Sequence, residues 1–472
     1  MAEIHELSAL ELRAAYQARQ LAPVEVLEAL FVRIDRLEPS LHAFTTQTRE
    51  MALSQARAAE LTWMDSDAND WSPMLGIPVT IKDLVDVEGA PTTMGSLVTS
   101  HEPAATDELF VERLRDAGAI FLGKTNTSEF GLAAQTMNRV APTTANPWNL
   151  ERTAGGSSGG AAAACAAGFG PLHHGTDGGG SVRVPAAYCG VVGLKPTGRR
   201  IPRRVRGAGM SQISTDGVLA RSLADAAMML GVIAGPDRRD PAPYRSESVD
   251  FHSYTQAGSL GGVRVAWTTE LAGPTPCEPL IESQVVAAAQ ALADAGANVS
   301  HAGPDIASPQ EIFPVLSAVG AASNYAALCQ GREDELSNYS RSSLRRGLAL
   351  TGAQVAEVYA ELDRLRRTMD SWFEKFDVLL TPTSAIAAHE HGARIDEIAG
   401  QPVNPWMISI LYTPLANLIQ SPAIAMPAGL DRDGLPISVQ VMAREGDDAT
   451  AIRCAAVLEE AGPSGASRLA PV

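Results

Sequence analysis

Apolar and polar positions change their period along this chain, and the changes mark out its elements. Ser8 and Glu11 have the Ser-x-x-Glu spacing of a capping box. After Pro23 the apolar residues Leu27, Leu30, Phe31, Ile34 and Leu37 recur at helical spacing. Residues 1–65 are therefore expected to be mostly amphipathic helix. The run Gly76-Ile77-Pro78-Val79-Thr80-Ile81-Lys82-Asp83 has no polar face until its end, and reads as a buried strand that carries Lys82 to its C-terminus. Asp107 to Ala117 predicts a helix, Ala119 to Leu122 a strand, and Gly159 to Ala167 an alanine-rich helix that permits close packing. Further strands are expected at Gly262 to Trp267, Asp377 to Leu380, Ala423 to Met426 and Pro436 to Met442. Residues 308–376 lack a clear strand and predict a helical cap beside the sheet. The Gly/Ser/Pro-containing segment after Ala461 is expected to fray. Alternation of this kind favours an α/β layered fold with a mixed or parallel sheet.

Composition narrows the function classes. A chain of 472 residues, 45% hydrophobic and 19% charged, buries a large core as one big domain with a subdomain, or as two domains. With 54 acidic against 37 basic residues the net charge is −17, and the basic positions cluster only from Arg199-Arg200 to Arg206. Nucleic-acid binding is not expected. Cys165, Cys189, Cys277, Cys329 and Cys454 are odd in number and have no CxxC spacing, which argues against a disulfide framework or a structural zinc. Acidic residues stand near the N-terminus where a signal peptide carries basic ones, and no stretch reaches the roughly 18 apolar residues of a membrane span. The expectation is a cytoplasmic protein without membrane attachment.

The candidate chemistry lies in two serines 24 residues apart, each in a glycine-rich run: Gly155-Gly156-Ser157-Ser158-Gly159-Gly160 and Gly178-Gly179-Gly180-Ser181. Bare backbone lets successive N–H groups converge on the oxyanion that forms when a serine attacks a carbonyl. This points to acyl transfer. A serine nucleophile needs a base. His173 and His174 adjoin the second run, but neighbouring strand residues face opposite ways, so at most one could reach the site. His389 and His391 lack a third ligand motif, and no metal is expected. Lys82 remains: burial at the end of an apolar strand penalises its ammonium and makes neutral amine available. Lys124 and Lys195 are its rivals. Cys165 and Cys189 read as small packing residues.

With the segments Gly175-Thr176-Asp177-Gly178-Gly179-Gly180-Ser181-Val182-Arg183-Val184-Pro185-Ala186-Ala187, Gly123-Lys124-Thr125-Asn126, Asn146-Pro147-Trp148-Asn149, Gly193-Leu194-Lys195-Pro196-Thr197 and Gly434-Leu435-Pro436-Ile437-Ser438-Val439-Gln440, the chain closely resembles the amidase signature family. The resemblance runs over nearly the whole chain. It implies a single domain over 1–472, a central mixed β-sheet covered by helices on both faces, and a catalytic core segment in 76–200. It further implies that Ser181 is the nucleophile that forms an acyl-enzyme, that Ser157, preceded by a cis peptide bond, bridges, and that Lys82 is the base. By the same resemblance the N–H groups of Gly178, Gly179, Gly180 and Ser181 make the oxyanion hole, and Ser158, Thr176, Asp177 and Arg183 hold the loop. Neither cofactor nor metal is implied. The implied partner is a small-molecule amide or carbamate, and the implied state a monomer or homodimer.

Three departures stand out: Gly178 where a larger residue is common, His173-His174 in place of an apolar pair, and Gln420-Ser421 where glycine is frequent. Substrate choice is left open by these motifs. Carbamates (a urethanase activity), hydrazides, ureas and aryl esters would meet the same nucleophile as amides. The glutamine-hydrolysing component of a tRNA-dependent amidotransferase is a third reading. Against it, Val184 replaces that component's glutamine and Tyr359 to Arg367 only partly echoes its glutamine-binding segment.

Overall fold

Short runs with no polar face become central strands, and Pro78–Lys82 sets the frame, buried at all five positions. The computed structural model describes residues 3–65, 71–244, 249–462 and 469–472. In chain order the first strands are β1 (Phe44–Gln47), β2 (Pro78–Lys82) and β3 (Ile120–Thr125), followed by a small hairpin of β4 (Ala145–Asn146) and β5 (Asn149–Thr153). Next come β6 (Leu172–Asp177), β7 (Val192–Lys195), β8 (Thr215–Ala220), β9 (Arg264–Trp267), β10 (Asn298–His301) and β11 (Val378–Pro382). A second hairpin, β12 (Glu397–Ile398) and β13 (Gln401–Pro402), precedes β14 (Ala423–Leu430) and β15 (Pro436–Ala443). Eleven of these form one sheet in the order β1-β3-β2-β6-β8-β7-β14-β15-β11-β9-β10. The β2–β3, β2–β6, β9–β10 and β9–β11 pairs are parallel and the others antiparallel, so the sheet is mixed.

Both faces are covered, because successive residues of a strand point to opposite sides. Val265, Val378 and Leu380 pack with helices Pro23–Leu41, Leu223–Ile233 and Asp448–Ala461 in one apolar cluster. Their neighbours Ala266 and Leu379 pack with helices Pro309–Cys329 and Gly352–Phe373 in another. The alanine-rich helix Gly159–Ala166 is buried at every position. It sits so close to its neighbours that a Cβ on Gly160 would fall 2.5 Å from the carbonyl oxygen of Ala43.

The capping box forms: Ser8 Oγ accepts the Glu11 N–H at 3.1 Å and the Glu11 carboxylate accepts the Ser8 N–H at 2.8 Å. One strand interrupts the helical N-terminal part. The Glu38 carboxylate accepts the N–H groups of Ala43 and Phe44, and the chain then runs as β1 antiparallel to β3. Residues 308–376 hold the helices Pro309–Cys329, Asn338–Ala349 and Gly352–Phe373, with no strand among them. The expectation about membrane spans is corrected here, since Pro309–Cys329 is long and apolar enough to cross a bilayer, with a mean hydropathy of 1.5. In the structure its apolar positions Ile312, Leu316, Ala318 and Ala321 are buried against other elements. Gln310 and Asn324 of the same helix donate to Leu411 O and Ser211 Oγ. Of the segment expected to fray, residues 463–468 lie outside the described residues.

Candidate active site

Three chain segments converge at one end of the sheet: the end of β2, the loop into helix Gly159–Ala166, and the loop that follows β6. Lys82, wholly buried, places its Nζ 2.6 Å from Ser157 Oγ, 2.8 Å from Ser158 Oγ and 2.9 Å from Thr176 Oγ1. Burial depresses the Lys82 pKa well below that of a free lysine; Asp177 and Asp216 oppose the shift and Arg203 adds to it. Ser158 braces the two loops. Its N–H donates to Ser181 O at 3.2 Å, and its Oγ accepts the Thr176 N–H at 3.3 Å. The Gly156–Ser157 peptide bond is cis. At Gly156 a Cβ would lie 2.5 Å from the main-chain nitrogen of Gln135, so only glycine fits there.

A buried ion pair shapes the loop after β6. Asp177 accepts from Arg183 Nε at 3.0 Å and Nη2 at 2.8 Å, and from the N–H groups of Gly180 at 2.7 Å and Val182 at 3.1 Å. Burial alone would raise the Asp177 pKa, but Arg183, Lys195 and Asn417 outweigh it and hold the carboxyl far below its usual range. Arg183 in turn donates to Thr413 O at 2.8 Å, Asn417 Oδ1 at 2.7 Å and Gln440 Oε1. Breaking one side of such a pair leaves the other charge buried and alone, so Arg183→Met should destabilise the fold by about 3–5 kcal/mol. Thermal denaturation checks this; an unchanged Tm would remove the pair from the account of the loop.

Gly180 does not fit the expected donor set, because its N–H is already given to the Asp177 carboxylate. The N–H groups of Gly178, Gly179 and Ser181 have no acceptor among the described residues. Nor does the hydroxyl of half-buried Ser181 have a hydrogen-bond partner there, so of the expected chain only the Lys82–Ser157 link is closed. Four residues that sequence reasoning missed surround this loop. Thr413 Oγ1 donates to Gly179 O at 2.7 Å, and Asn417 Nδ2 to Asp177 O at 2.8 Å. The Phe313 ring occupies the space where a Gly179 Cβ would stand, 2.4 Å from it, and Met210 lies 3.1 Å from that of Gly178. Met210 thus fills the room that the unusual Gly178 leaves.

The remaining candidates stand apart from the serine hydroxyls. His173 Nδ1 meets Thr80 Oγ1 at 2.9 Å and its Nε2 meets Gly170 O at 3.1 Å; burial pushes its pKa down to about 3. His174 bonds to Asp216 through Nε2 at 3.0 Å. Lys124 is tied to Asp83 Oδ1 at 3.2 Å, Pro91 O at 2.9 Å and Thr92 Oγ1 at 2.8 Å. Lys195 donates to Pro196 O at 2.9 Å, its pKa lowered to about 7, first by burial and then by Arg183. No group of three metal-ligating side chains occurs among the described residues. The basic run is spent internally: Arg199 pairs with Glu445, Arg200 with Asp448, Arg203 with Asp216, Arg204 with Glu112 and Arg206 with Asp240.

Comparison with known proteins agrees with this geometry. Residues 25–452 match the model of the family described as Amidase. The chain is 37% identical over 466 residues to an acylamidase of Rhodococcus erythropolis, covering 98% of this chain and 96% of that protein. It is also 35% identical over 465 residues to a putative amidase, AmiB2, of Mycobacterium tuberculosis, covering 95% of this chain and 96% of that protein. Glutamyl-tRNA(Gln) amidotransferase components are similar too, one from a Roseiflexus species being 35% identical over 479 residues, or 96% of each chain. Among solved structures the chain superposes on a bacterial aryl acylamidase of the amidase signature family with a TM-score of 0.90 and 27% identity, over 99% of this chain and 98% of that one.

Proposed function

The chain belongs to the amidase signature family of amide C–N hydrolases, and from that premise we propose that it cleaves small-molecule carboxylic amides through an acyl-enzyme on Ser181. The observation that carries this reading is the contact of a fully buried lysine with Ser157 Oγ at 2.6 Å, near Ser181, whose hydroxyl and N–H, with the N–H groups of Gly178 and Gly179, have no partner among the described residues. A neutral amine donates two hydrogens and accepts one, which suits the three hydroxyls around Nζ if Ser157 is the one that donates to it. Ser181 Oγ attacks the amide carbon while its proton passes to Ser157 Oγ and the Ser157 proton to Lys82 Nζ. The second link closes with substrate in place, as catalytic hydrogen bonds commonly do. The N–H groups of Gly178, Gly179 and Ser181 face the oxyanion, each such donor being typically worth about 3–4 kcal/mol in the transition state. As the C–N bond breaks, the relay runs backwards and protonates the amine. Water then attacks the ester through the same base, releasing the acid and restoring Ser181.

The likeness to an acylamidase and to an aryl acylamidase supports an N-acyl amide with an aryl amine as leaving group, over glutamine with ammonia as leaving group. The partial echo of a glutamine-binding segment is already engaged, since Tyr359 donates to Gln212 Oε1 at 3.0 Å and Arg366 Nε to Leu418 O at 2.8 Å. A panel of p-nitroanilides, aryl carbamates, hydrazides and primary amides tests the reading on the chain purified by itself. Anilides are expected to turn over without any partner protein, with at least tenfold higher kcat/KM than primary amides. A chain inert on the whole panel until partner proteins are supplied would favour the amidotransferase reading, and preference for the carbamates would make it a urethanase.

A further inference from the structure

The parallel ladder between β2 and β6 pairs only Val79 with Leu172 and Thr80 with His173, so the strands part before Lys82. On that side the Lys82 N–H has no strand partner. It donates instead to Nδ1 of the His174 side chain, at 3.4 Å. With Nδ1 as acceptor, the hydrogen of the neutral ring is on Nε2, which donates to Asp216 Oδ1 at 3.0 Å. Arg203 holds the same carboxylate from the far side, Nε to Oδ2 at 2.6 Å and Nη2 to Oδ1 at 3.0 Å. His174 and Asp216 are fully buried, and Phe110 lies against the imidazole with ring centres 4.6 Å apart. A histidine where the family pattern has an apolar residue is thus built into a continuous line from half-buried Arg203 to the main chain of the base.

We propose that His174, Asp216 and Arg203 are positioning residues, a linear relay that fixes the strand end from which Lys82 reaches the serines and balances the charge around its amine. The inference rests on the reading of Lys82 as the base. The groups that face Lys82 are Asp177 and His174 on β6, Asp216 on β8 and Arg203 on the segment between β7 and β8. Asp177 is neutralised by Arg183. Asp216 and Arg203 act on Lys82 with opposite sign, the carboxylate favouring the ammonium and the guanidinium disfavouring it. Removing either exposes the other.

The experiment measures pH profiles of kcat/KM on an anilide for Asp216→Asn and Arg203→Gln, with active protein counted by covalent labelling so that poorly folded material drops out. In Asp216→Asn the acid limb should move to lower pH, and in Arg203→Gln to higher pH, each by about 0.5–1 unit. Arg203→Lys keeps the charge at a partly exposed position and should leave the limb in place. His174→Phe keeps a ring against Phe110 but accepts nothing from Lys82. It should lower kcat about tenfold with KM within about twofold, and His174→Asn, with Oδ1 in place of Nδ1, should recover part of the loss. Limbs that stay put, or move the same way in both charge variants, would overturn the relay, as would His174→Phe with native kcat. Lys82→Ala separates the two readings: a limb that persists there defeats Lys82 as base, whereas a limb lost there but unmoved in the charge variants defeats the relay alone.

Discussion

Treatment with a sulfonyl fluoride or a slow aryl carbamate should add one acyl or sulfonyl mass to the peptide that contains Ser181, and Ser181→Ala should abolish both the label and amide turnover. The expected loss in kcat is on the order of 10⁴–10⁶-fold, the range for removing a nucleophile whose surroundings stay intact. Three serine hydroxyls compete for the role, and their environments separate them. Ser157 and Ser158 are buried and engaged with Lys82. Ser181 is half-buried, and among the described residues neither its hydroxyl nor the N–H groups of Gly178, Gly179 and Ser181 have a partner. Only the last can meet a carbonyl carbon and leave its oxygen facing donors. Ser157→Ala should be less damaging, because water can bridge Lys82 to the nucleophile but nothing else can form the ester. Label on Ser157 or Ser158, or a Ser181→Ala protein that still takes one label, would overturn the assignment.

The site was legible in the sequence where its parts are local. Lys82 ends a run with no polar face, and Ser157 and Ser181 lie in glycine runs whose bareness the packing explains: at Gly156 and Gly179 a Cβ would collide with Gln135 and Phe313. What stayed hidden is contributed from far along the chain. Thr413 and Asn417 reach the loop after β6 from more than 230 residues away, and nothing in their own neighbourhoods marks them. The same limit applies to the fold. β2, β3, β9, β11, β14 and β15 announce themselves by aliphatic runs. β6 (Leu-His-His-Gly-Thr-Asp) and β8 (Thr-Asp-Gly-Val-Leu-Ala) are as deeply buried, yet carry polar side chains satisfied by Thr80 on the neighbouring strand and, from outside the sheet, by Arg203 and Arg183. A period-based reading counts those residues as exposed. Gly180 failed as an oxyanion donor for a related reason: a glycine in a motif advertises a free N–H, and only the fold reveals that Asp177 has taken it.

Lys82 carries the second large effect. Its ammonium sits where burial outweighs the attraction of Asp177 and Asp216, so the neutral form is reached well below the ordinary lysine range. A lysine that acts as a base works only when deprotonated. kcat/KM of the free enzyme should therefore be low on the acid side, rise tenfold per pH unit through the Lys82 titration at a pH below about 10.4, and level off above it. A histidine base would place that limb near 6.5, but His173 is pushed down to about 3 by burial, and the Nε2–H of His174 is given to Asp216; neither has a serine hydroxyl as partner. Lys82→Ala should cost several powers of ten in kcat and flatten the limb, since Ser157 then has no acceptor for its proton. Lys82→Arg should be nearly as damaging although it restores a long cationic side chain, because a guanidinium does not give up its proton in this range. His173→Ala should change the rate far less. The contrast between arginine and alanine decides between a base and an electrostatic role. If Nζ acted only as a positive charge beside the serines, arginine would retain much of the rate that alanine loses. Equal collapse of both, with a native-like Tm in each, is what proton transfer to Lys82 requires, and an arginine variant with near-native turnover and an unchanged pH profile would end the Ser-Ser-Lys reading of this site.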